Sequence, residues 1–247
     1  LEDLEAVESV GATAARRAAR MLGAKPIKTQ EVPVIFEAPM AAGLLGGMLG
    51  AIDGDMVYKK ASFLADKLGE QIAVPGLTLW DDPLLPRGTA STPFDGEGLP
   101  TVRKKLVDAG KLTTFLYDSH TARKAGVKPT ANARRGYSSM PHAGVFNFYA
   151  EKGQDDPEEI WRSTPRALLV TRGLGHGLNA VSGEYSRGAN GLWLEHGEVV
   201  HAVQEVTIAA DYLTLLKSID RIGTDLRLRG SSGAPTLRIA NMTVSGR

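Results

Sequence analysis

Residues Gly173–Trp193 read GLGHGLNAVSGEYSRGANGLW, with six glycines gathered around His176, Glu184 and Arg187. The spacing of these glycines does not match a dinucleotide loop, and one histidine with one glutamate is too few ligands for a closed zinc site. The stretch reads instead as a strand, a sharp corner at Ser182–Gly188 and a returning strand through Trp193. Glycine lets the backbone pass close to another strand or to a bound peptide there. Strand, corner and return predict antiparallel sheet, and the neighbouring runs agree: Ala167–Thr171 before it, Leu192–Leu194 at its end and Val199–Ile208 after it.

Working outward, short runs rich in Thr, Val, Leu and aromatics, separated by Gly and Pro, begin at Gln71. Leu99–Val107 and Lys111–Asp118 flank Asp108-Ala109-Gly110, a hairpin with glycine at a left-handed position. Gly144–Gly153 and Thr236–Val244 read as strands, and Val32–Pro39 as a short buried strand between prolines. Apolar residues at helical spacing from Leu4 to Leu22 predict an amphipathic helix ended by Gly23 and Pro26. Helices are also expected at Ala41–Ala51, Met56–Leu68, Ser119–Ala125 and Leu213–Ile219. Asp156-Pro157-Glu158-Glu159 sets a capping acid before a proline and a first turn of acids, which starts a helix running to Ser163. With no internal repeat or long linker, the expected fold is one α+β domain over residues 1–247. Its sheet is mainly antiparallel, barrel-like or strongly curved, with an N-terminal helix and a few other flanking helices.

Composition sets the outer limits. In 247 residues, 43% are hydrophobic and 23% charged, ordinary for a globular protein, and the net charge of +1 offers no electrostatic case for nucleic acid or an anionic membrane. Small neutral or mixed-charge partners fit better. No apolar run approaches the roughly 20 residues of a spanning helix and the start is acidic, so a cytoplasmic location is expected. Having no cysteine, the chain has neither disulfides nor thiolate ligands. It opens on Leu1 rather than methionine, which leads one to expect a segment upstream.

The catalytic patterns are missing. None of the five histidines is followed by glutamate, so there is no H-E-x-x-H helix. His196 and His201, with Glu195 and Glu198, read as a polar hairpin tip. No G-x-S-x-G elbow exists, and Asp118-Ser119-His120 holds triad residue types only as sequence neighbours. GLLGGMLGAIDGD (Gly43–Asp55) lacks the lysine and hydroxyl of a phosphate loop and reads as a helix packed closely through small residues. Asp95, between Phe94 and Gly96, reads as a turn residue accepting local backbone N–H groups. In TANARRGYSSMPH (Thr130–His142), Asn132, Arg134, Arg135 and Tyr137 form a polar loop that is either solvated or a clamp for a carboxylate or peptide carbonyl.

VYKKASFLADKLGEQI (Val57–Ile72), ASTPFDGEGLPT (Ala90–Thr101) and SGEYSRGANGLWLEHGE (Ser182–Glu198) together resemble the TldD/PmbA family, known also as modulators of DNA gyrase and as TldD/TldE-type peptidase subunits. The resemblance runs from Val32 to the C-terminus. It implies a two-subunit machine whose TldD-type member carries zinc, on an H-E-x-x-x-H helix of an N-terminal half absent from this chain and on a cysteine of a C-terminal glycine-rich loop. The corresponding loop here, Arg229–Pro235, has no cysteine. STPFD and SGEYSRGANGLW resemble the TldE (PmbA) type, whereas Asn132–Pro141 resembles the TldD type. The implied role is that of a TldE-like accessory subunit, pairing with a TldD-like partner around a chamber where extended or unfolded peptides are cleaved. No catalytic residue, metal ligand or cofactor is expected in this chain, the zinc being on the partner. Candidates for lining a peptide groove are Asn132, Arg135, His176, Glu184, Tyr185 and Arg187. The alternatives are a self-sufficient homodimeric peptidase with zinc ligands in the missing half, and a binding module that modulates another protein without proteolysis.

Overall fold

A computed structural model describes residues 5–246. Helix α1 (Val7–Ala19) precedes strand β1 (Gln30–Phe36), helix α2 (Ala38–Gly46), a 3-10 turn at Gly47–Gly50 and helix α3 (Gly54–Tyr58). Short strands β2 (Leu79–Asp81), β3 (Lys104–Asp108) and β4 (Lys111–Leu112) lead to helix α4 (Ser119–Ala125). Strands β5 (Ala133–Arg134), β6 (His142–Ala143) and β7 (Phe148–Ala150) lead to helix α5 (Pro157–Arg162). Three long strands follow, β8 (Arg166–Leu174), β9 (Glu184–Glu195) and β10 (Glu198–Asp211), then helix α6 (Tyr212–Lys217). Strands β11 (Ile219–Ile222), β12 (Arg227–Arg229), β13 (Ser232–Ala234) and β14 (Leu237–Ser245) complete the chain.

Strands β1, β8, β9, β10 and β14 pair in that order and close on themselves, because β14 also pairs with β1. Only β1 and β8 run parallel in this five-stranded barrel, and β11 extends it from the first half of β14. Closure needs bending, and bulges supply it. One falls between Val32 and Val34 at Pro33, which has no N–H to give to a ladder. Two others flank Gly191, which lies opposite Val170 and Val203 just before the register shifts on both sides. A Cβ there would run into the Leu169 carbonyl oxygen.

Period-two alternation divides the barrel residues between two cores. Val34, Phe36, Leu168, Val170 and Trp193 join the larger core. Ile35, Leu169, Leu192 and Leu194 face a smaller one, closed by Ile160 of α5 with Met21, Ala24 and Trp161. The larger core also takes in Leu79, Val107, Leu112, Phe148 and Ala234 of a second sheet, ordered β12-β13-β7-β2-β3-β4. Helix α2 lies within it through Ala41, Leu44 and Leu45. Tyr212, fully buried at the start of α6, donates its hydroxyl to the Leu44 carbonyl at 2.8 Å and meets the Phe63 ring edge-on. Burial pushes the pKa of this phenol far up, so it stays a donor.

A buried polar knot ties the loop before β5 to the second sheet. Asn132 donates to Asp81 at 2.7 Å and to the Gly144 carbonyl at 2.9 Å, and accepts from Lys104 Nζ at 2.7 Å. Asp81 takes the Phe146 N–H at 2.7 Å on its other oxygen. Burial raises the pKa of the Asp81 carboxyl and lowers that of the Lys104 ammonium, and their mutual attraction opposes both shifts.

The caps and turns follow the sequence. Asp156 caps α5 through the Glu158 and Glu159 N–H groups, Asp95 accepts from the Glu97 and Leu99 N–H groups, and Ala109 and Gly110 are both left-handed in the β3–β4 hairpin. Other expectations are corrected. The N-terminal helix spans Val7–Ala19, Leu4 lying outside the described residues, and no side chain of it is buried. Helix α2 begins at Ala38, earlier than expected, and tightens to 3-10 at Gly47. The helix expected over Met56–Leu68 stops at Tyr58, since Lys60 turns left-handed and the Phe63 N–H bonds the Ala180 carbonyl at 3.1 Å. The corner lies earlier than expected, between Gly175 and Gly183, which carry the left-handed angles, and Glu184–Gly188 is already paired with β10.

Gly191→Ala is expected to lower unfolding stability by about 1–3 kcal/mol in urea titrations, through overpacking at the barrel seam. Asn132→Ala, which leaves Asp81 short of a donor and Lys104 of an acceptor, should cost about 2 kcal/mol by the same measurement. An unchanged midpoint for Asn132→Ala would mean that the side chain serves a ligand rather than the fold.

Candidate functional site

Helix α2 is made almost entirely of Ala, Gly, Leu and Met, so it suits a buried position, with Pro39 in its first turn. Gly43, Gly46 and Gly47 stand at i, i+3 and i+4 and therefore share one face. That face, with Pro39 and Leu49, forms one wall of a cavity of about 610 Å³. The opposite wall is the turn from β12 to β13, contributing Arg227, Arg229, Ser231 and Ser232, and Val145 and Phe148 also line it. Gly230 is left-handed at the tip of that turn, and β13 runs parallel to β7, with Ser232 opposite Phe148. The expected close packing of α2 is present too: a Cβ on Gly47 would stand 3.3 Å from Leu178 of the glycine corner, and one on Gly50 3.8 Å from Ala180.

The glycine corner thus packs against part of the same glycine side of α2. Tyr185 is buried against Tyr212, with ring centroids 6.2 Å apart, and its burial raises the phenol pKa while the neighbouring Arg187 guanidinium opposes the shift. Arg187 crosses over Gly173, where a Cβ would stand 2.6 Å from its guanidinium carbon, and Nη1 lies 3.7 Å from the Cβ position of Gly43. Its Nε is buried and finds no acceptor among the described residues. His176 and Glu184 are exposed at the two ends of the corner. The Glu184 carboxylate accepts from the Ser182 hydroxyl at 3.3 Å.

Asn132 sits in the interior knot and Arg135 on the surface, beside a separate depression of about 310 Å³ next to Asp95 and Gly96. The six candidates therefore fall in three places, and only Tyr185 and Arg187 approach α2. Arg227 escaped the sequence reading, while the Arg229–Pro235 loop was read only for its lack of cysteine and the glycine helix only for close packing, neither as a cavity wall. The i, i+3, i+4 glycine spacing was the available signal, because a helix face without side chains serves close packing and an open groove equally well.

The histidines lie elsewhere. His196 occupies the left-handed turn between β9 and β10, and His201 sits opposite Trp193 in β10. His120 and His142 share a depression of about 500 Å³ with Asp53, Asp55 and Asp118. Burial raises the pKa of Asp53, while Asp118 caps α4 through the Thr121 N–H at 2.7 Å and is not poised as a triad acid. Among the described residues no three His, Asp or Glu side chains converge as metal ligands. No helix of the described chain is long and apolar enough to cross a membrane. Chemically, the cavity below α2 offers hydroxyls, guanidinium groups and approachable glycine backbone, which suits an extended polar chain.

Comparison with known proteins agrees with this architecture. The family model described as the PmbA/TldA metallopeptidase C-terminal domain matches residues 29–246. Metalloprotease PmbA of Escherichia coli O157:H7 is 38% identical over 247 residues, covering 100% of this chain and 53% of the relative. A Thermotoga maritima protein solved under the name modulator of a DNA gyrase superposes with a TM-score of 0.90 at 35% identity, over 99% of this chain and 56% of its own. TldE from Thermococcus kodakarensis superposes with a TM-score of 0.88 at 28% identity, over 97% and 56%. The chain thus spans about half the length of the relatives it matches. With the closed barrel and the glycine-faced cavity in the span 29–246 that the C-terminal domain model matches, this chain belongs to the PmbA/TldD metallopeptidase family.

Proposed function

We propose that this chain is the C-terminal half of a TldE/PmbA-like accessory subunit that lines the peptide chamber of a zinc metallopeptidase, the zinc being held by a TldD-like partner. The observation that carries this reading is the cavity of about 610 Å³ between the glycine face of α2 and the β12–β13 turn. Glycines permit a bound backbone to approach the helix, while Ser231 and Ser232 supply hydroxyls for its amide and carbonyl groups. An extended peptide is held here through its backbone, which leaves its side chains to be read by the surfaces beyond the cavity. Among the described residues no three His, Asp or Glu side chains converge, and the glycine-rich turn that the family resemblance marks for a cysteine carries Ser231 and Ser232. In this role the chain binds and orients the substrate, and the metal-activated water belongs to the partner.

The full-length protein, mixed with a TldD-like subunit at micromolar concentration, is expected to co-elute with it in gel filtration and to cleave an unfolded peptide, with a chelator abolishing cleavage. No association refutes the accessory role; stoichiometric zinc in the isolated full-length protein favours a self-sufficient homodimer; binding without chelator-sensitive cleavage favours a modulator. Gly46→Leu tests the groove itself. A Cβ there stands 4.0 Å from Phe148, so the longer side chain fills the cavity. Peptide cleavage by the complex should fall at least tenfold, with no loss of thermal stability because leucine exceeds glycine in helix propensity.

A further inference from the structure

We propose that this subunit selects extended peptides bearing acidic side chains, through a track of arginines that leaves the α2 cavity along strand β12 and reaches the end of α1. The inference rests on the peptide-binding reading above and adds the chemical class of the substrate.

Three depressions join end to end. The α2 cavity shares Pro39, Arg227 and Arg229 with a groove of about 180 Å³. That groove shares Arg17 with a third of about 360 Å³, where Arg20 and Arg172 stand beside Asn190 and Gln204. Five arginines and no lysine line the path, against two carboxylates, Glu37 and Asp225. Both acids are already engaged. Glu37 pairs with Arg20 at 2.8 Å and Arg17 at 3.8 Å, and Asp225 accepts the Thr236 N–H and hydroxyl, each at 2.8 Å. Arg172, Arg227 and Arg229 are exposed and make no ion pair among the described residues.

The cations that face the track are guanidinium groups, and a guanidinium only donates hydrogen bonds, so a ligand that binds here must supply acceptors. Arginine's planar fork matches a carboxylate in two parallel bonds, which a lysine cannot do. Geometry suits an extended ligand as well. Strand β12 is the free edge of the second sheet, and Arg227 and Arg229, two apart, lie on one face of it. A peptide added to this edge presents every second side chain to that face. Charged residues also guard edge strands against aggregation, but that duty needs neither a continuous path nor arginine in place of lysine.

Decapeptides of glycine and serine carrying four glutamates, four glutamines or four lysines, each with a neutral dye, are titrated with the chain by fluorescence anisotropy at low salt. The glutamate peptide is expected to bind at least tenfold tighter than the glutamine peptide, with the lysine peptide weakest. Arg227→Gln with Arg229→Gln, at exposed positions that leave the fold intact, should remove at least fivefold of that preference. Arg123→Gln with Lys124→Gln, the loss of two charges at exposed positions of α4, should leave the preference unchanged. Glutamate and glutamine peptides binding within twofold, a preference that survives the double variant, or no binding of any peptide overturns the proposal. In the assembled complex, cleavage without glutamate preference refutes this selection and leaves the peptidase reading standing. Glutamate-selective binding with no cleavage supports the selection and refutes the peptidase reading alone.

Discussion

Everything about the candidate site depends on the antiparallel pairing of β14 with β1, which closes the barrel. Strand β14 is shared by three neighbours: β1 along its length, β11 at Leu237–Ile239 and β10 at Thr243–Ser245. A strand shared in this way leaves few backbone groups unpaired and places residues that start and end the chain side by side. Gln30 meets Val244, and the residues joining β1 to α2 are carried onto the shoulder of the barrel. Helix α2 begins two residues after β1 ends, so its position is inherited from the closure.

With α2 fixed, the two walls of the cavity have separate causes. The helix is buried through leucine and alanine on one side and clamped near its end by the Tyr212 hydroxyl, while its glycine face is shared between the cavity and the glycine corner. The facing turn is held by the second sheet, where the Ser231 carbonyl accepts the Phe148 N–H at 2.8 Å. Two structures packed on one core set the cavity width, and the arginines of β12 lie along its rim. A net charge of +1 hides this concentration, because acids elsewhere in the chain balance it.

The candidate residues show where reading a sequence succeeds. Asp156, Asp95 and the Ala109-Gly110 hairpin were legible because each depends on bonds within a few residues. Tyr185 and Arg187 were singled out with the family's glycine signature, and the alternation of β9 that puts them on one face came only with the structure. Asn132 looked like a groove residue because its partners, Asp81 and Lys104, lie 51 and 28 residues away in sequence. The same distance hid the end of α3, where Phe63 turns to bond Ala180 rather than continue the helix.

By itself the sequence determined the α+β class, the mainly antiparallel strands, the Asp156 cap, the Asp95 and Ala109-Gly110 turns, and the family, all of which are written in local spacing and residue type. Only the tertiary structure decided which strands close the barrel, where the glycine corner turns, that Asn132 belongs to the core, and that glycines 43, 46 and 47 face Arg227, Arg229, Ser231 and Ser232 across a cavity. Those outcomes follow from long-range strand pairing and burial. Neither leaves a periodic trace in the chain, because the residues that meet are set by the closure of the sheet and not by their distance in sequence.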